Sequence, residues 1–376
     1  MLVLAGLRAV GATPAEAASG LLTLCICQAI IAIAMSLRFR IPLSFAWSTP
    51  GAALLIAARS STHNFAAAVG AFIVCGLLIA ITGLWPALTR VITRIPTPLA
   101  SALLAGILFP ICLAPIEASV KLPLLALPIV VVWLILFGVA PRWAVPGALV
   151  VTIIVVGISA GTDWLHGSLV APQLSFVSPT FQPLVIVSLG IPLFLVTMAG
   201  QNVPGFAVLK TFGYDDPPAR GILVGSGLLS AVGALFGAHA INLAALSAAI
   251  MAGPDSHTDR SKRWIATVTG GVVYVLLGLA AGLAASLVLV TPPLLITTVA
   301  GLAMLGAFVA AVAAALEDPR NRVVAIITFL VVASGIVIVG IGSPFWGLVV
   351  GGTVMLWLGW HRRRRERKAA LAAAPE

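Results

Sequence analysis

Long apolar runs follow one another along this chain with only short polar punctuation between them. They fall at 18–37, 41–58, 64–85, 97–114, 122–140, 144–160, 183–200, 219–236, 238–253, 264–290, 293–316, 321–341 and 344–361, thirteen in all. About 20 apolar residues is the length of helix that crosses the hydrocarbon core of a bilayer. Lipid offers no hydrogen bonds, so a spanning segment must satisfy its backbone internally, and a helix does so within one segment. Charge is correspondingly scarce, at 9% of residues against 61% hydrophobic. A soluble domain carries roughly 25% charged residues, too many for this chain to match. The expected fold class is an all-α polytopic membrane protein.

The net charge of +10 suggests a nucleic-acid partner until the positions of the cations are read. With the basic tail HRRRRERK placed in the cytoplasm, counting loops backward puts 18 of the 21 Lys and Arg residues on the same side. Only Arg8, Arg59 and Lys121 fall outside. Such asymmetry is the mark of membrane topology, and a basic tail beside the membrane attracts anionic lipid. We therefore expect an inner-membrane protein of bacterial type with a cytoplasmic C-terminus, lipid around it and no nucleic acid. The start shows no basic region followed by a small-residue cleavage site, so no cleavable signal is expected. Cys25, Cys27, Cys75 and Cys112 all lie in apolar runs and read as small buried hydrophobes.

Thirteen spans with an inside C-terminus leave about ten residues, MLVLAGLRAV, where a further span is expected. Either the chain begins outside, or these residues are the end of a first helix that is truncated here; we favour the second reading. Fourteen spans then divide into two halves, 1–160 and 183–361, joined by an external loop at 161–182. Seven spans per half invert the second half relative to the first. Residues 86–98 (PALTRVITRIPTP) read as an interfacial linker.

Two spans are weak, and they fall third in each half. Short or interrupted segments at matching positions of inverted repeats point to a transporter site. In 41–58 the interruption is Trp47, Ser48, Thr49, Pro50 and Gly51. Proline suits a first helical turn, Ser48 or Thr49 can cap it, and the residue before proline is pushed to an extended shape. A half-helix is therefore expected to begin near Pro50, its free N–H groups pointing into the protein. In the second half, Gly237, Ala238, His239, Ala240, Ile241 and Asn242 are expected to open the matching half-helix. Two opposed N-termini make an anion site without a buried Lys or Arg. A simple kink, with hydroxyls bonded back to their own helix, is the plainer reading of either break alone.

None of the eleven acidic residues falls at mid-membrane in this topology, which disfavours a carboxylate relay. His239 is the one intramembrane ionisable residue, a candidate proton carrier or else a packing residue. Gln201 and Asn202 either hydrogen-bond a ligand or satisfy backbone freed near Pro204. Trp47 can offer a ligand an aromatic face. Phosphate-binding loops, paired catalytic carboxylates, zinc-ligand spacings and nucleophile elbows are all missing from the sequence. We expect no enzyme, no metal and no cofactor.

Three stretches, PLSFAWSTPGAALL (42–55), LGIPLFLVTMAGQNVPGFAVLKTFGY (189–214) and FGAHAINLAALSAAIMAGPDSH (236–257), resemble the benzoate/proton symporter family. The resemblance covers nearly the whole chain. It implies the fold of uracil permease-like transporters: a 7+7 transmembrane inverted repeat whose third and tenth spans are each a short strand plus a half-helix. It also implies a core domain at 1–85 and 183–290, a gate domain at 86–160 and 293–361, and a tail at 362–376. Substrate would lie between residues 48–51 and 238–242, beside Gln201 and Asn202. The implied activity is secondary transport of benzoate or a similar aromatic carboxylate with protons, by alternating access, with a homodimer as a possible assembly. Nucleobase permeases of this fold use core glutamates, which this core lacks. Another small anion, a passive channel and a structural membrane protein are the remaining alternatives.

Overall fold

The computed structural model describes residues 1–58, 64–85, 96–160 and 173–372. Residues 86–95 of the expected linker, 161–172 of the expected loop and the last four residues of the tail lie outside the described residues.

Of the described residues, 79% are helical. In chain order the elements are α1 (Leu2–Ala9), α2 (Pro14–Phe39), β1 (Phe45–Trp47), α3 (Thr49–Ala57), α4 (Phe65–Leu84), α5 (Thr97–Lys121), α6 (Pro123–Val139) and α7 (Pro141–Ala160). Then follow α8 (Pro183–Thr211), α9 (Ala219–Ala234), β2 (Ile241–Leu243), α10 (Ala245–Ala252), α11 (Trp264–Leu279) and α12 (Ala281–Val290). The chain ends with α13 (Pro293–Leu316), α14 (Arg322–Ala333), a two-residue-strand hairpin at 337–342, and α15 (Ser343–Ala372).

Among the described residues, six helices are long and apolar enough to cross a membrane. A seventh results if the segment ending at Leu279 and α12, bent by 52° where they meet, form one span. The thirteen apolar runs exceed this number because several hold short helices: α6, α9 and α14 have 10–17 residues, and runs 41–58 and 238–253 each hold a three-residue strand and one short helix, α3 or α10. Other runs extend further than expected. The run at 97–114 continues to Lys121 through Pro110 and Pro115, and the run at 183–200 continues to Thr211.

Local chemistry explains many of these boundaries. Thr13 and Glu16 form a reciprocal capping box at the start of α2, with Pro14 in the first turn. That helix ends at Arg40, which takes a left-handed φ of 56° and stacks its guanidinium 4.3 Å from the Trp264 ring centre. Pairs of helices meet through glycine: a side chain on Gly227 of α9 would strike the Ala80 backbone of α4, and one on Gly301 of α13 would strike Ile111 of α5. Small residues let helix backbones approach where lipid supplies little hydrophobic drive between helices.

β1 and β2 lie inside this bundle and pair antiparallel, with Phe45 opposite Leu243, Ala46 opposite Asn242 and Trp47 opposite Ile241. The ladder continues past both strands, since Ser48 N–H donates to Ala240 O (2.8 Å) and Ala244 N–H to Ser44 O (2.9 Å). Because the pairing is antiparallel, α3 begins just past the Trp47–Ile241 end of the crossing and α10 just past its Phe45–Leu243 end.

Candidate functional site

A strand pair buried in a membrane protein leaves its outer N–H groups without water, and each must find an acceptor. On β2 the acceptors are side chains. Ile241 N–H donates to Ser230 Oγ (2.8 Å), Leu243 N–H to Asn202 Oδ1 (2.9 Å), and Ala245 N–H to Gln201 Oε1 (3.2 Å). Gln201 and Asn202 are consecutive, yet they serve N–H groups two residues apart, one on β2 and one on the first residue of α10. Both lie in a π-helical turn of α8, Met198–Asn202. The wider turn is a device often found at functional sites.

The two short helices begin differently. Ser48 caps α3 itself: its Oγ accepts from Gly51 N–H (3.1 Å) and also from the Thr197 hydroxyl of α8 (2.7 Å). Pro50 has no N–H, Gly51 is engaged, and Ala52 N–H bonds Ser48 O (2.8 Å), so Thr49 carries the remaining first-turn N–H. The Gly51 position has no room for a side chain against Leu193 and Ser48. The half-helix expected to open at residues 237–242 instead begins at Ala245. Residues 241–243 are strand, because pairing with β1 satisfies their backbone before a helix can start. Its N-cap position is Ala244, which offers no side-chain acceptor, so Gln201 supplies one from another helix. At the far end of α10, Arg263 Nη1 donates to Ala252 O (2.7 Å) and holds the last turn. Beyond it Asp259 turns the loop by accepting from the Ser261 hydroxyl and N–H, and these bonds hold its carboxyl below the usual range.

A cavity of about 360 Å³ lies where these first turns meet α5 and α13. Thr49 and Pro50 of α3, Gly200, Gln201 and Pro204 of α8, and Ala245 of α10 line one side. Opposite them stand Ser101, Leu104 and Leu108 of α5, with Ala303, Met304, Gly306, Ala307 and Ala310 of α13. Among the described residues, neither a cation nor a carboxylate lines it. A Cβ placed on Gly306 would meet nothing within 4 Å, and one on Gly200 would first meet Pro50 at 3.5 Å. Such a space suits a small ligand with an apolar body and one polar end.

Of the residues singled out from sequence, the cavity brings together Thr49, Pro50 and Gln201. Ser48, Gly51 and Asn202 stand one layer behind and build its frame. Trp47 packs edge-on against Tyr274, with ring centres 6.1 Å apart, and is not among the lining residues. Ala238 is buried beside Gly233. Asn242 donates to Leu243 O (3.1 Å) and leaves its Oδ1 without a partner. His239 is wholly buried, edge-on to Phe72 at 6.5 Å; neither ring nitrogen has a side-chain partner among the described residues, and it does not line the cavity. Sequence reasoning missed Ala245, Ser101 and the α13 wall. The glycine and proline flanking 201–202 were the only signal for the π-helical turn, and no local pattern marks α13 as a lining helix.

The sequence profile of a family described as benzoate membrane transport protein matches residues 1–356. The inner membrane protein YdcO of Escherichia coli (strain K12) is 38% identical over 344 residues, 91% of this chain and 87% of that protein. The benzoate membrane transport protein of Acinetobacter baylyi is 32% identical over 323 residues, 86% of this chain and 82% of that protein.

Proposed function

The chain belongs to the benzoate membrane transport protein family, a family of transporters and not of enzymes, and on that premise we propose that it imports benzoate or a similar aromatic carboxylate by proton symport across an inner membrane. The observation that carries this reading is the cavity itself. Its polar end is formed by the first turn of α3, Gln201 and the start of α10, and its apolar wall by α5 and α13. The carboxylate accepts from Thr49 N–H and the Gln201 amide, where the positive ends of two helix dipoles converge. The ring lies against Leu104, Met304 and Ala307. A nucleobase would call for an acceptor such as a carboxylate, and none lines this space among the described residues.

Transport follows if the core (1–85 and 183–290) rocks against the gate (86–160 and 293–361), exposing the cavity to each side in turn. The symmetry of the strand crossing about Ala46 and Asn242 supports a seven-plus-seven inverted repeat of fourteen spans. The clustering of Arg and Lys supports a cytoplasmic C-terminus. Ser48, Gly51, Asn202 and Asn242 hold the two short helices in place, and Trp47 and Ala238 pack around them. His239 carries the coupled proton, a role supported by its place as an ionisable side chain one residue before Ala240, whose carbonyl accepts from Ser48 N–H at the end of the strand ladder. The gate domains form a dimer contact, and lipid surrounds the rest.

Uptake of labelled benzoate into proteoliposomes tests the proposal. Accumulation above the external concentration is expected only under an inward proton gradient. Flux that merely equilibrates would indicate a channel, and the absence of both benzoate uptake and competition by benzoate would overturn the reading.

A further inference from the structure

A second cavity, of about 390 Å³, opens at the other end of α3. Arg8 of α1, Ile56 of α3, Val288 and Leu289 of α12, and Ile296 and Thr297 of α13 line it. It shares two walls with the first cavity. Along α3, Ile56 lies seven residues beyond Thr49, ~10 Å of helix; along α13, Thr297 lies six residues before Ala303, ~9 Å. Both cavities therefore sit on one seam, between the segments assigned above to core and gate.

Arg8 sets this space apart. One of its guanidinium nitrogens donates to Ala12 O (2.6 Å), which orients the group and leaves the other N–H donors for a ligand. No acidic side chain pairs with Arg8 among the described residues. The nearby Glu16 is occupied with Thr13 in the cap of α2. A cation without an acid, at the edge of an apolar hollow, is complementary to a molecule with one carboxylate and a hydrophobic body. We propose that this cavity is an outer docking site for the transported aromatic carboxylate, with Arg8 binding the carboxylate and Ile56, Val288 and Ile296 covering the ring. The inference rests on the substrate class and orientation proposed above, which place Arg8 outside. A cationic mouth raises the local concentration of the anion before it moves down the seam.

The test compares wild type, Arg8→Gln, Arg8→Lys and Ala9→Phe in proteoliposomes at low and high salt, with thermal stability measured in parallel. Arg8→Gln is expected to raise KM for benzoate ~3- to 10-fold at low salt, with kcat within about twofold. The difference should shrink in ~1 M salt, where screening acts over a few ångströms. Arg8→Lys should recover part of the loss. Ala9 also lines this cavity, so Ala9→Phe fills it without changing charge and should raise KM as well. Unchanged KM in Arg8→Gln and Ala9→Phe, with wild-type transport intact, overturns the outer site alone. A wild type that neither binds nor transports benzoate overturns the preceding reading and the outer site with it.

Discussion

Replacing Gln201 by glutamate separates the capping role of this residue from its role toward an anion. The side chains are nearly isosteric, and the carboxylate keeps an acceptor for Ala245 N–H, which Gln201 Oε1 now meets at 3.2 Å. An anion at the first turn of a helix adds ~0.3–1 kcal/mol of stability. The Gln201→Glu protein should therefore melt at or slightly above the wild-type temperature. The same carboxylate stands at the edge of the 360 Å³ cavity, beside the proposed position of the substrate carboxylate. Two unit charges ~5 Å apart at an effective dielectric constant of ~20 repel by ~3 kcal/mol, about two orders of magnitude in affinity. Gln201→Leu is the complement. It removes the acceptor and exposes the buried N–H, at a cost of ~1–3 kcal/mol in stability, while introducing no repulsion. Calorimetric titration of the purified protein with benzoate, with thermal unfolding alongside, reads both effects. If Gln201→Glu binds benzoate within threefold of wild type, no carboxylate lies near Gln201, and the proposed pose is wrong.

Other perturbations probe neighbouring parts of the site. His239→Ala should abolish proton-driven accumulation while benzoate exchange persists, measured by uptake and counterflow; an unchanged pH profile removes His239 from coupling. Gly306→Leu extends a side chain into open space, so unfolding should shift by less than ~0.5 kcal/mol while benzoate uptake is lost. Ser48→Ala deprives Gly51 N–H and the Thr197 hydroxyl of a shared acceptor, and chemical unfolding in detergent should show a loss of ~1–3 kcal/mol.

The parts of this protein legible in its sequence are those decided within a few residues. The apolar runs announce a membrane solvent because lipid imposes a length and forbids unpaired backbone. The start of α3 was legible because its cap is local: Ser48 bonds Gly51 three residues on, and Pro50 can only suit a first turn. The start of α10 was not. Its first N–H is met by Gln201, 44 residues away, and Ile241–Leu243 just before it are diverted into a strand by pairing with β1. Sequence reasoning therefore found the second break and placed its helix too early, on residues 238–242. His239 was conspicuous as an ionisable group in an apolar run, but only packing decided that it faces Phe72 and not the cavity. The far wall, α13, carries alanine, glycine and methionine that look like any other span. Its role follows from lying across a gap from α3 and α8, a relation that long-range packing establishes and no local pattern records.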